Sequence, residues 1–199
     1  MNRKVEQGDA TRAHLVATGI ALFTERGFAG TSTTEIVRRA GVTRGALYHH
    51  FADKEELFAA CYTEVQKDLY ARCAAASAVP GGHAARIDAG AQAFLDACLE
   101  PRVQRILLRE GPLVLGRERS LRFDDPHCAR RLLRAALTAA ARDGLLPAEH
   151  AEPMAHALYG ALDQAGNVIA AADDPAAERK RMGAAITDLI AALLGANRP

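Results

Sequence analysis

The chain has 199 residues, of which 49% are hydrophobic and 25% charged, with a formal net charge of +1. That length and hydrophobic content suit one long domain or two small ones with a substantial core, and exclude a globally disordered chain. No apolar run approaches the roughly 18 to 20 residues that span a bilayer, and the start, MNRKVEQGDATR, lacks the apolar stretch of a secretory signal, so a soluble cytoplasmic protein with no membrane partner is expected.

Ala, Leu, Arg and Glu dominate, and strand-like alternation is rare, so an all-α fold is expected. The first helix is predicted over about residues 9–26. Leu15, Val16, Gly19, Leu22 and Phe23 recur there as one apolar stripe, and Gly27 stops it. Ser32, with Glu35 three residues later, forms a capping box for a second helix running to about Ala40, and Gly41 supplies a tight turn. Thr43 is the expected N-cap of a third, very short helix ending near Phe51. Asp53 and Glu56 cap a fourth helix through about Ala76. After the Val79-Pro80-Gly81-Gly82 loop, helices are predicted at about 83–99, 102–110, 126–142, 148–171 and 176–195. The breaks between them fall at Pro101, Gly111-Pro112, Asp143-Gly144 with Pro147, and Asp173-Asp174-Pro175. Residues 111–125 are ambiguous, since apolar Leu113, Val114 and Leu115 are followed by a loop-like Gly116 and a run of charges.

Charge is unevenly spread. Residues 1–52 carry seven basic side chains against four acidic ones, with His14, His49 and His50 in addition, as a small nucleic-acid-reading module would. Within this half, residues 31–54, TSTTEIVRRAGVTRGALYHHFADK, place two short helices around a glycine turn. Ile36, Val37, Ala40, Val42, Leu47 and Phe51 can pack on the first helix, which leaves Thr43, Arg44, Gly45, Tyr48, His49 and His50 outward. Seven helical residues span roughly 10 Å, a fit to the ~12 Å major groove of double-stranded DNA. Arg44 can donate a bidentate pair to a guanine edge, Gly45 permits close backbone approach, and Tyr48 can meet the phosphate–sugar rail. His49 is a candidate for base or sugar contact. Thr33 at the start of the second helix, His50, and Lys54 at the start of the fourth are expected to grip phosphates. Arg38-Arg39 fit either a phosphate clamp or a solvated face. Adjacent helical side chains diverge by about 100°, so His49 and His50 cannot readily share a metal ion, and no metal site is expected.

The run Phe23-x-x-x-Gly27-Phe28, Thr31-Ser32, Ile36, Ala40-Gly41-Val42 and Leu47-Tyr48-x-x-Phe51 with Lys54-Glu55-x-Leu57 resembles the DNA-binding domain of the TetR family of bacterial repressors. The resemblance covers about residues 9–58. It implies a three-helix DNA-binding domain with a helix-turn-helix over residues 1–52. A helical ligand-binding and dimerisation domain would follow over 53–199, the helix from 53 to about 76 linking the two. It also implies a homodimer on a palindromic operator, and a small-molecule effector whose binding releases the DNA.

The second half has no comparable motif. Arg105, Arg109, His127, His156, Tyr159 and Asp163 are candidates to line an effector cavity, with Phe94 and Cys98 as an apolar wall or as plain core. His156, Tyr159 and Asp163 share one helix face. The last two predicted helices are rich in small and aliphatic residues, Leu158, Ala161, Leu162, Ala165 and Ile169, then Ile186, Leu189, Ile190, Leu193 and Leu194, which fit a dimer interface or an internal core. The cysteines Cys61, Cys73, Cys98 and Cys128 form no C-x-x-C pair, which favours ordinary buried thiols over a redox sensor. No catalytic triad, paired-carboxylate, phosphate-loop or dinucleotide signature is present, so neither enzymatic activity nor a cofactor is expected.

Overall fold

A computed structural model describes residues 3–116 and 128–195. Among the described residues every regular element is helical. In chain order these are α1 (Arg3–Arg26), α2 (Thr33–Ala40), α3 (Arg44–His50), α4 (Lys54–Ala76) and α5 (His83–Ala97). A π-helical stretch π1 (Val103–Glu110) runs into α6 (Gly111–Val114), and α7 (Ala129–Arg142), α8 (Ala151–Ala171) and α9 (Pro175–Gly195) complete the set. They form two compact units. Among the described residues the first holds 3–65 and 101–116, and the second holds 66–100 and 128–195.

The expected break between residues 52 and 53 and this division differ, and packing explains the difference. Leu57, Phe58, Cys61 and Val65 on the first half of α4 are buried in the first unit. There Gly19 lets α1 lie against α4, because a Cβ on it would stand 2.8 Å from the Cys61 sulfur. Phe23, Phe28 and Phe58 form an aromatic cluster with ring centroids 5.2 to 5.9 Å apart. Such offset and edge-on pairs add to the burial of large apolar surfaces.

Local signals fix the helix ends. The Ser32 hydroxyl accepts from the Glu35 amide at 3.2 Å, but the Glu35 carboxylate turns away to Arg26 at 2.5 Å. The Asp53 carboxylate accepts from the Glu56 amide at 2.7 Å, and the Glu56 carboxylate accepts from the Ala52 amide at 2.6 Å. Gly41 ends α2 at φ 64°, where its N–H and that of Val42 satisfy the carbonyls of Arg38 and Val37. Helix α1 begins at Arg3, well before the predicted start, because polar residues need no apolar stripe to be helical.

The expected break at Gly111-Pro112 is absent, since π1 continues directly into α6. Pro112 falls in the first turn of α6, at the junction of the two helical registers. Gly111 is buried where a Cβ would lie 2.5 Å from the Tyr62 ring.

The second unit packs α5, α7, α8 and α9 with the latter part of α4. Its core is aliphatic: Ile87, Leu95, Leu137, Leu158, Leu162, Ile169 and Ile190 are buried. A polar network ties α5 to α9. Gln92 donates to the Gly183 carbonyl at 3.1 Å, and Arg179 donates to the Asp96 carboxylate at 2.6 Å and the Gln92 side-chain oxygen at 2.8 Å. Gly183 is the residue that permits this, because a Cβ there would lie 2.3 Å from an Arg179 nitrogen.

Candidate functional site

In the first unit, Thr43 caps α3 by accepting from the Ala46 amide at 3.1 Å. Leu47 and Phe51 are buried and fix the inner face of α3. The opposite face therefore presents Arg44, Gly45, Tyr48 and His49 to solvent, with His50 half-buried at its end. Tyr48 is 41% exposed, which for so large a ring marks a side chain with no place in the core. The Arg44 guanidinium lies 5.5 Å from the centre of the Tyr48 ring. Hydrogen bonding to Thr33, and then to Arg44, holds the Tyr48 phenol below the usual tyrosine range. Arg44 and Tyr48 thus form one polar pair on the outer face of α3. The rings of His49 and His50 meet edge-on at 5.1 Å.

Lys54 departs from expectation. Its ammonium donates to the carbonyls of Phe28 at 2.8 Å and Thr31 at 3.0 Å and sits 4.1 Å from the centre of the Phe28 ring. Two of its three N–H donors are thus committed to holding the α1–α2 turn. Arg39 is likewise engaged, forming two bonds of 2.8 and 2.9 Å to the Glu25 carboxylate, a pairing that lowers the Glu25 pKa. Arg38 points outward, its side chain 75% exposed.

The second unit holds a cavity of about 40 Å³ with a nearly all-apolar lining. Cys73 and Ser77 of α4, Gly90 and Phe94 of α5, Leu133 of α7 and Tyr159 of α8 are among the residues around it. Of the predicted lining residues, the structure brings Phe94 and Tyr159 together there. Cys98 is fully buried but does not line the cavity, and burial pushes its thiol up to about 12. Asp163 lies half-buried one turn beyond Tyr159, outside the lining. His156 is exposed, because its position on α8 turns away from the stripe of Ala155, Leu158 and Leu162. Arg105 and Arg109 belong to the first unit, because the chain returns there for residues 101–116. His127 lies outside the described residues.

Arg130 is the residue that sequence reasoning missed. It is only 4% exposed, and its guanidinium lies 4.1 Å from the centre of the Tyr159 ring. Burial raises the Tyr159 phenol, and the Arg130 charge opposes that shift. The signal was present: Arg130 occupies the same stripe as Leu133, Leu137 and Ala140, an unusual place for a charge.

The geometry defines a helical protein in which a capped recognition-type helix is joined to a separate cavity-bearing unit. Residues 15–61 match the family described as bacterial regulatory proteins, tetR family, and residues 84–193 match the tetracyclin repressor-like C-terminal domain. A TetR-family transcriptional regulator from Pectobacterium atrosepticum has a structure similar to this one over 100% of both chains, with 32% identity and a TM-score of 0.78. A transcriptional regulator from Pseudomonas aeruginosa PAO1 matches 94% of this chain and 93% of its own, with 26% identity and a TM-score of 0.69. Among curated relatives, the HTH-type transcriptional regulator AcrR of Shigella flexneri is 48% identical over 59 residues, which are 29% of this chain and 27% of that protein. The chain thus spans about a quarter of the length of this curated relative. The chain belongs to the TetR family of bacterial regulators.

Proposed function

We propose that the protein is a ligand-responsive repressor that binds a palindromic double-stranded operator as a homodimer in the cytoplasm. The observation that carries this reading is α3: a capped helix held by Leu47 and Phe51, with Arg44, Gly45 and Tyr48 outward together. Such a helix lies in the major groove, Arg44 reading a guanine edge and Tyr48 bridging toward the backbone. Thr33, Thr43, His49 and His50 flank this group as backbone or sugar contacts. One helix of this length reads few bases, which favours two half-sites read by a dimer.

The dimer is assigned to α8 and α9. Besides their inward stripes they expose small or apolar residues at helical spacing, Ala157 and Gly160 on α8 and Ala185, Leu189 and Ala192 on α9, together with His156. Flat surfaces of this kind let two helix pairs approach as a four-helix interface. The apolar cavity favours a sensor over a purely architectural DNA-binding protein, whose core would be filled. Its lining suits an uncharged apolar or aromatic effector, with the Tyr159 and Ser77 hydroxyls as the polar contacts. Its volume of about 40 Å³ requires side chains to move aside as the effector enters.

The test is a gel shift on the chain's own promoter region. Combined Arg44→Ala and Tyr48→Ala substitutions are expected to lower affinity about a hundredfold or more while the dimer persists. Undiminished binding by the double variant refutes the assignment of α3.

A further inference from the structure

The α1–α2 turn of the first unit is gripped from two sides at a single residue. Lys54 takes the Phe28 carbonyl, and the Glu110 carboxylate accepts from the Phe28 amide at 2.8 Å. Glu110 stands 82 positions away in sequence, at the end of π1, and its side chain is 18% exposed. Its other oxygen lies 3.9 Å from the Arg105 guanidinium and 2.4 Å from where a Cβ on Gly27 would be. Gly27 is therefore required twice, by its φ of 75° and by the carboxylate that fills the space beside it.

We infer that Glu110 is a positioning residue for DNA reading: its carboxylate fixes the α1–α2 turn in the shape that carries α2 and α3 to the DNA. The chain of contacts is short. The turn ends at Ser32, which caps α2, and α2 buries Ile36 and Ala40 in the same head core that holds Leu47 of α3. Release of the Phe28 amide therefore loosens the start of α2 and, through the packing of Ile36 and Ala40, the seat of α3. The head is consequently not complete at the end of its helix-turn-helix; it needs a carboxylate that the chain supplies only after building α5. The π-helical register of 103–110 and the close seat of Gly111 on Tyr62 set the position from which Glu110 reaches the turn. This inference rests on the assignment of α3 as the DNA-reading helix.

The experiment uses the full-length dimer and two probes, a duplex spanning the chain's own promoter and a scrambled duplex of equal length. Glu110→Ala is expected to weaken binding to the promoter duplex about tenfold, since a part-buried amide loses its acceptor. Binding to the scrambled duplex, which gains nothing from base edges, should fall less than binding to the promoter duplex. Hydrogen exchange of the amides at 27–31 should quicken in the same variant. Glu110→Gln, whose side-chain oxygen still accepts, should restore both. Glu110→Asp, one methylene shorter, carries the same expectation as Glu110→Ala should that variant fail to fold. The proposal is overturned if exchange at 27–31 is unchanged, if promoter affinity stays within twofold of wild type, or if Glu110→Gln behaves like Glu110→Ala. A wild-type chain that does not distinguish the two duplexes refutes the DNA assignment instead, and the exchange measurement then decides Glu110 alone.

Discussion

The two units differ in how their centres are packed. The first is joined by specific, directional contacts: three aromatic rings at its centre, an ammonium on two carbonyls and a carboxylate on one amide. The second is braced by polar bonds between α5 and α9, but its centre is lined mostly by small and aliphatic residues that leave a cavity, with one arginine set against a tyrosine ring. Directional contacts hold a short helix in one place, as reading base edges demands. Loose aliphatic walls can shift to admit a molecule, as sensing demands. The contrast ties rigidity to the part that must be accurate and space to the part that must respond.

The largest test of this contrast is Phe58→Ala. Removing the ring that touches both Phe23 and Phe28 should cost about 3 to 5 kcal/mol, read from chemical denaturation. A loss below about 1 kcal/mol would mean that the aromatic centre does not hold the head. Lys54→Met is expected to cost about 1 to 3 kcal/mol, since the carbonyls of Phe28 and Thr31 lose their donor. The same variant should leave the salt dependence of DNA binding unchanged. A slope reduced by about one would return Lys54 to the phosphates.

A paired substitution sharpens the comparison. Gly19→Ala pushes a methyl toward the Cys61 sulfur and should destabilise by about 1 to 3 kcal/mol. Ala136→Val, beside the cavity, should change stability by less than about 1 kcal/mol because space exists for its methyls. Equal losses at both positions would erase the distinction between a filled unit and a yielding one.

The smallest effect concerns the thiols. Burial pushes Cys61 and Cys98 up to about 12 and Cys73 up to about 11. Each folded-state value lies above the unfolded one, so the protonated thiols contribute stability that is complete below about pH 8.5. That contribution is lost as pH rises from there through 11 to 12. At pH 8, iodoacetamide should leave these three thiols unmodified in the native protein and alkylate them in denaturant. Rapid native alkylation of Cys73 would favour thiol sensing at the cavity wall.

Much of the head was legible because its signals are short-range. Ser32, Thr43 and Asp53 act on amides three residues away, and Leu47 and Phe51 face inward by helical period alone. The bracing role of Lys54 was not legible for the complementary reason: its partners at Phe28 and Thr31 are 26 and 23 residues distant, and no pattern around a helix start points to such carbonyls. Arg105 and Arg109 were counted with the second half of the chain, yet residues 101–116 pack in the first unit. His156 shares a broad face with Tyr159, but the tilt of the buried stripe separates an exposed residue from a lining one.

By itself the sequence determined the all-helical class, the family, the helix caps and the outward set Arg44, Gly45 and Tyr48, since these depend on periodicity and on contacts within one turn. Only the tertiary structure decided that Glu110 completes the head, that Lys54 braces its turn, and that Phe94 and Tyr159 share a cavity near Arg130. Those pairings join residues tens of positions apart, and no local pattern encodes which distant group will fill a given space.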